Sequence, residues 1–144
     1  MKTLLLAFLL CALTFNCQSQ KNISKTNKNY FIGNWILKER NYMDGNSKKS
    51  YPLQECEKKY SLVFEKSNNN IILTKNYAAG KDCKLKSNSG KISIIIEESS
   101  FSYLDLDLKR KDQYKILSKN KFSILYSEIL DGKVREIEDL YERQ

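Results

Sequence analysis

The chain has 144 residues, 29% of them charged, and a formal net charge of +8. That length fits one domain. It contains no histidine, which removes the commonest general base and metal ligand, and no G-x-S-x-G, Walker or G-x-G-x-x-G signature occurs. We therefore expect a protein that is not an enzyme and carries neither metal nor cofactor.

Residues 1–16 read as a signal peptide. Lys2 supplies a positive start and Leu4 to Phe15 an apolar run, which is shorter than the roughly 20 residues of a transmembrane helix. The run ends at Cys17. The segment resembles a bacterial lipoprotein signal, in which the terminal cysteine is acylated and becomes the new N-terminus. The alternative is a plain secreted protein cut near Gln20. After Cys17 comes "QSQKNISKTNKN", residues 18–29, with Ile23 as its one large apolar side chain. Such a stretch buries too little surface to fold and reads as a flexible tether. The folded domain is thus expected over 30–144. Two cysteines remain in it, Cys56 and Cys83. In an oxidising, exported setting an even pair reads as a disulfide. It would close a loop of about 27 residues and stabilise by roughly 3–4 kcal/mol.

Period-two alternation then dominates. "KKYSLVFEKS" sets Tyr60, Leu62 and Phe64 on one face. "NNN" at 68–70 is a turn, and "IILTKNY" returns. "AAGKD" is a looser connection into "CKLKS", and "NSG" at 88–90 reads as another turn before the isoleucine-rich "KISIIIEE". "FSYLDLDLK" reads as one strand with Leu104, Leu106 and Leu108 inward, Asp105 and Asp107 outward, and Tyr103 marking a bulge. "QYKILS", the turn "KNK" and "FSILYSEIL" continue the series. Asp131-Gly132 is a two-residue hairpin signal. In "KVREIEDLYERQ", Val134, Ile137 and Leu140/Tyr141 recur at helical spacing, so a short helix is open there. The preceding turn and the need to close a sheet favour a strand. Pro52, the one proline, sits in a polar loop, "DGNSKKSYPLQE". About eight or nine short strands with tight turns predict an all-β, single antiparallel up-and-down barrel of about eight strands.

"FIGNWIL" opens the folded part. Gly33-Asn34-Trp35 resembles the G-x-W at the first strand of lipocalins. The wider layout is similar to small bacterial lipocalin-like lipoproteins: polar tether, G-x-W, long loop, a cysteine opening the next strand ("ECEKKYSLVFEK"), a second after the following hairpin ("GKDCKLKS"), and a basic residue near the end ("LYERQ"). The resemblance implies that Gly33 permits a tight bend, that Trp35 plugs the closed end, and that Arg143 packs across its indole, a contact worth about 0.5–2 kcal/mol.

The inward set includes Ile71, Leu73, Ile94, Ile96 and Ile124 as core. Tyr60, Leu62, Phe64, Leu104, Leu106 and Tyr126 are candidates to line a ligand cavity. A small barrel is either filled by its own side chains or holds one small ligand, and both readings are open here. The acidic pairs Asp105/Asp107 and Glu136/Glu138 alternate with apolar residues and so face solvent together. Lysines spread along the chain, which argues against nucleic acid. The function expected is a monomeric, lipid-anchored protein of the bacterial cell envelope, facing periplasm or cell surface, that binds a small hydrophobic ligand. The alternative is an inhibitor or immunity factor that binds an acidic protein partner.

Overall fold

From Gly33 onward, alternating side chains place the chain in nine antiparallel strands. The computed structural model describes residues 28–105 and 107–144. The expected signal peptide, Cys17, most of the tether and Leu106 lie outside the described residues. A 3-10 turn, Lys28–Tyr30, precedes β1 (Gly33–Asp44) and β2 (Ser47–Tyr51). A second 3-10 turn, Glu57–Lys59, leads to β3 (Ser61–Ser67), β4 (Asn70–Ala79) and β5 (Lys84–Ile96). Then follow β6 (Ser100–Asp105), β7 (Leu108–Ser118), β8 (Lys121–Leu130) and β9 (Lys133–Arg143).

Strands β3 to β9 run up and down, each hydrogen-bonded to the next. β1 closes the ring: Gly33–Ile36 pair with β3, and Trp35–Tyr42 pair with β9. β2 pairs only with the upper half of β1, from Arg40↔Tyr51 to Asp44↔Ser47. The barrel proper is therefore eight-stranded, and closure removes the long free edges that an open sheet of this size would expose. The strands all lie within 33–143, and Tyr30, Phe31 and Ile32 just before them join the same core.

A bulge in the closing strand decides which side chains enter the barrel. The β1–β9 register shifts between Leu37 and Glu39. The extra residue flips the alternation, so that Arg40 joins Trp35 and Leu37 on the inner face. Asp131 (φ 52°) and Gly132 (φ 73°) both take left-handed backbone, which the two-residue β8–β9 turn demands.

Four local expectations need correction. "NSG" at 88–90 is no turn: β5 passes through it, and the β4–β5 register jumps from Thr74↔Lys91 to Asn76↔Ser87. Gly90, with φ 63°, thus serves an irregularity within one strand. "FSYLDLDLK" is not one strand but the β6–β7 hairpin, with Asp105 opposite Leu108. Its phase is also the reverse of that expected. Phe101 and Tyr103 are buried, whereas Leu104 is 65% and Leu108 59% exposed. A one-residue slip exchanges the two faces, and the ring cluster around Phe101 decides which face goes in. The polar loop around Lys48 is half strand, forming β2. The last segment is a strand, β9, as the preceding turn favoured, with Ile137, Asp139 and Tyr141 buried at period two and Val134 at its exposed end.

Candidate functional site: a cavity above an aromatic floor

The closed end is built from the residues that precede and begin β1. Phe31 is fully buried at its centre, its ring 4.8–5.6 Å from those of Phe64, Phe101, Tyr114 and Phe122. Trp35 is also fully buried, and its indole N–H donates to the Phe31 carbonyl at 2.7 Å. The Arg143 guanidinium lies 4.2 Å from the centre of the indole. It donates to the carbonyls of Ile32, at 2.5 Å, and of Tyr30. The last strand therefore caps backbone acceptors that the 3-10 turn leaves free. Gly33 has φ +132°, and a Cβ there would stand 2.8 Å from Arg143 Nη1. Only glycine fits without moving the guanidinium. The Tyr30 hydroxyl lies 2.8 Å from the carbonyls of both Ser118 and Lys121, and burial pushes its phenol up to about 12. Sequence reasoning assigned the plug to Trp35 and missed Phe31, the ring at the centre.

Above this floor lies a cavity of about 350 Å³ inside the barrel. Its lower wall is apolar: Leu62, Phe64, Leu73, Phe101, Ile124 and Tyr141. Its upper wall is charged, and two networks dominate it. In the first, Arg40 grips Asp139 with two hydrogen bonds, Nε to Oδ1 at 2.7 Å and Nη2 to Oδ2 at 2.9 Å. The Tyr126 hydroxyl donates to the same carboxylate at 3.2 Å. On the far side, Arg40 Nη1 reaches Glu57 at 2.8 Å. In the second network, the Tyr103 hydroxyl donates to Asp112 at 2.6 Å and accepts from the Lys75 ammonium. Lys75 lies 3.7 Å from Asp112 and 4.3 Å over the Tyr103 ring. Asp105 and Arg110 complete the upper lining, and neither is hydrogen-bonded or ion-paired through its side chain among the described residues. Burial, reinforced by Asp112 and Asp139 respectively, pushes the Tyr103 and Tyr126 phenols well up. Both stay protonated and act as neutral hydrogen-bonding groups rather than nucleophiles.

Of the expected lining residues, Leu62, Phe64 and Tyr126 face this space. Tyr60 does not. It follows the second 3-10 turn, its carbonyl accepts from the Leu37 N–H at 3.0 Å, and its ring packs against the edge of the core. Leu104 points outward from β6 into solvent. The charged half of the cavity was missed. Its signal was present: Lys75 keeps phase with Ile71 and Leu73, Asp112 with Tyr114, and Asp139 with Ile137 and Tyr141. A charge in step with apolar neighbours on a strand points inward.

A disulfide joins Cys56 and Cys83 across 27 positions. It ties the segment between β2 and β3, which carries Glu57, to the β4–β5 connection. A second cleft of about 350 Å³ lies beside that segment, between Lys38, Tyr51, Pro52 and Lys58. It lacks the ring floor and is lined by Leu37 to Arg40 of β1, the end of β2, and Pro52, Leu53 and Lys58.

No family model matches the chain, and no curated protein sequence matches it. Among solved structures it is similar to lobster apocrustacyanin A1, with a TM-score of 0.47 and 13% identity over 82% of this chain. It spans 63% of the length of that protein. It is also similar to bovine odorant-binding protein complexed with its natural ligand, with a TM-score of 0.45 and 13% identity over 84% of this chain and 76% of that one. A third similar structure is the siderocalin Ex-FABP, described as having dual ligand specificities, at 0.44 and 9% identity over 80% and 74%.

Proposed function

We propose that the chain is a non-catalytic binding protein of the bacterial cell envelope, lipid-anchored at Cys17, whose barrel holds one small ligand in the upper cavity. The observation that carries the binding is the cavity itself, about 350 Å³ of space between an apolar floor and a polar upper wall. Pockets of this size and mixed lining suit small organic ligands. The apolar run ending at Cys17 and the polar residues after it support the anchor. Native mass spectrometry of protein purified from its own host tests both parts. The expected spectrum carries diacyl or triacyl mass on Cys17 and a co-purified small molecule. An N-terminus beyond Cys17 overturns the anchor. For the cavity, N-phenyl-1-naphthylamine should bind one-to-one with a fluorescence rise, and Leu73→Trp, which fills the floor, should abolish it. Binding unaffected by that substitution overturns the site.

A second reading is a protein-binding lipoprotein, favoured by Leu104, Leu108, Ile129 and Val134, which stand 59–76% exposed on two hairpin tips. Pull-down from host membranes at low and high salt, with and without Ile129→Asp, separates it from the first.

A further inference from the structure

The charges inside the cavity bear on the kind of ligand, provided that the barrel binds one as proposed. Lys75 and Arg110 line the cavity with Asp105, Asp112 and Asp139, while Arg40 backs Asp139 from the side of the second cleft, with Glu57 adding a carboxylate behind it. The upper wall therefore has no net positive charge, although the whole chain carries +8. The two cations deep in the wall are already engaged. Arg40 is held by both oxygens of Asp139, and Lys75 by Tyr103 and Asp112. Arg110 alone is unpaired among the described residues, and it sits exposed at the mouth, opposite Tyr103 in the β6–β7 register. An anionic head at the mouth would meet Arg110 beside the carboxylate of Asp105, and going deeper it would face Asp112 and Asp139 and would have to pull Lys75 or Arg40 from its partner. Breaking a partly buried pair leaves a carboxylate uncompensated, which is costly. A neutral head meets a different surface: the hydroxyl oxygens of Tyr103 and Tyr126, and the Ser127 side chain.

We infer that the cavity selects amphiphiles without net charge, an apolar body seated on Phe64, Leu73 and Phe101 and a neutral hydrogen-bonding end against Tyr103 and Tyr126, and discriminates against amphipathic anions.

Two probes of one skeleton test this. N-phenyl-1-naphthylamine is neutral, and 8-anilino-1-naphthalenesulfonate adds a sulfonate to the same rings. Both are titrated by fluorescence into the purified full chain at 0.15 M salt, about the physiological level. The long-range field of a basic protein favours the sulfonate, so the comparison is set against the proposal. The neutral probe should bind at least about tenfold tighter, a difference of about 1.4 kcal/mol. Asp112→Asn, or Asp105→Asn at the mouth should the former fail to fold, should narrow that ratio by strengthening the sulfonate, and a ratio that stays the same or widens in both overturns the charge selection. A sulfonate affinity equal to or above the neutral one, and abolished by Leu73→Trp, overturns the charge selection while leaving ligand binding intact. Saturable binding by neither probe overturns the binding reading, and the charge selection falls with it.

Discussion

Asp44 shows how much one side chain at a strand end can connect. It closes β1, receives the Lys49 ammonium from across the β1–β2 turn, and accepts from Arg135 of β9 at 2.6 Å. Arg135 in turn stacks 5.1 Å over Tyr42. The hydrogen bond from Lys49 and then that from Arg135 lower the Asp44 carboxyl from 3.8 to about 2. A carboxyl whose folded value lies below its unfolded one stabilises fully above the unfolded value. That contribution is lost as pH falls through the folded value. The β1–β2 hairpin tip should therefore stay docked on β9 at pH 4 and loosen only as pH drops from 3.8 toward 2. A carboxyl-carbon NMR titration checks it. The expected midpoint is about 2, and one near 3.8 would show that neither cation holds the group in solution.

Between β2 and β3 the chain leaves the ladder, and its ties to the barrel include Cys56–Cys83, Glu57 to Arg40, the Leu37 N–H to the Tyr60 carbonyl, and the packing of Leu53 and Tyr60 on the core. Without the covalent tie the segment keeps the Arg40–Glu57 pair and the packing of Leu53 and Tyr60. The Cys56→Ser/Cys83→Ser double variant should lose about 3 kcal/mol in urea unfolding, in line with a closed loop of this length. A loss under about 1 kcal/mol would mean that the non-covalent contacts suffice. The pairing was legible from the sequence because only two cysteines lie in the folded part. So was the Asp131-Gly132 turn, whereas the β1–β2 turn at Gly45, also left-handed, was hidden in a stretch that reads as a polar loop. Other elements were not legible for physical reasons. In Tyr103-Leu104-Asp105 the alternation is equally regular in either phase. The choice is made by rings elsewhere, since Phe101 must meet Phe31 at 4.9 Å. The bulge after Leu37 turns Arg40 inward, yet no glycine or proline marks it. Arg40 and Asp139 are 99 residues apart, and neither alone announces its partner. The floor was half legible, because G-x-W marks Trp35 but nothing local marks Phe31.

The molecule closes where its first strand meets its last, and its single tryptophan sits on that seam. Trp35 is opposite Arg143 in the register, and its ring lies 4.8 Å from that of Phe122. Tyr141 stacks on Phe122 at 5.5 Å and is itself buried. Removing residues 141–144 would take away Tyr141, the guanidinium that caps Ile32 and Tyr30, and the Gln144 N–H bond to the Asn34 carbonyl. The buried ring alone accounts for about 3–5 kcal/mol, against a typical total of about 5–15. The truncated chain should therefore be largely unfolded at 25 °C, with tryptophan emission shifted to the red. In the intact chain, tryptophan emission and far-ultraviolet circular dichroism should trace one coincident transition in urea, because sheet and floor share the same closing contacts. If emission changes first while the dichroism of the strands persists, the floor opens as a separate unit and barrel closure does not depend on it.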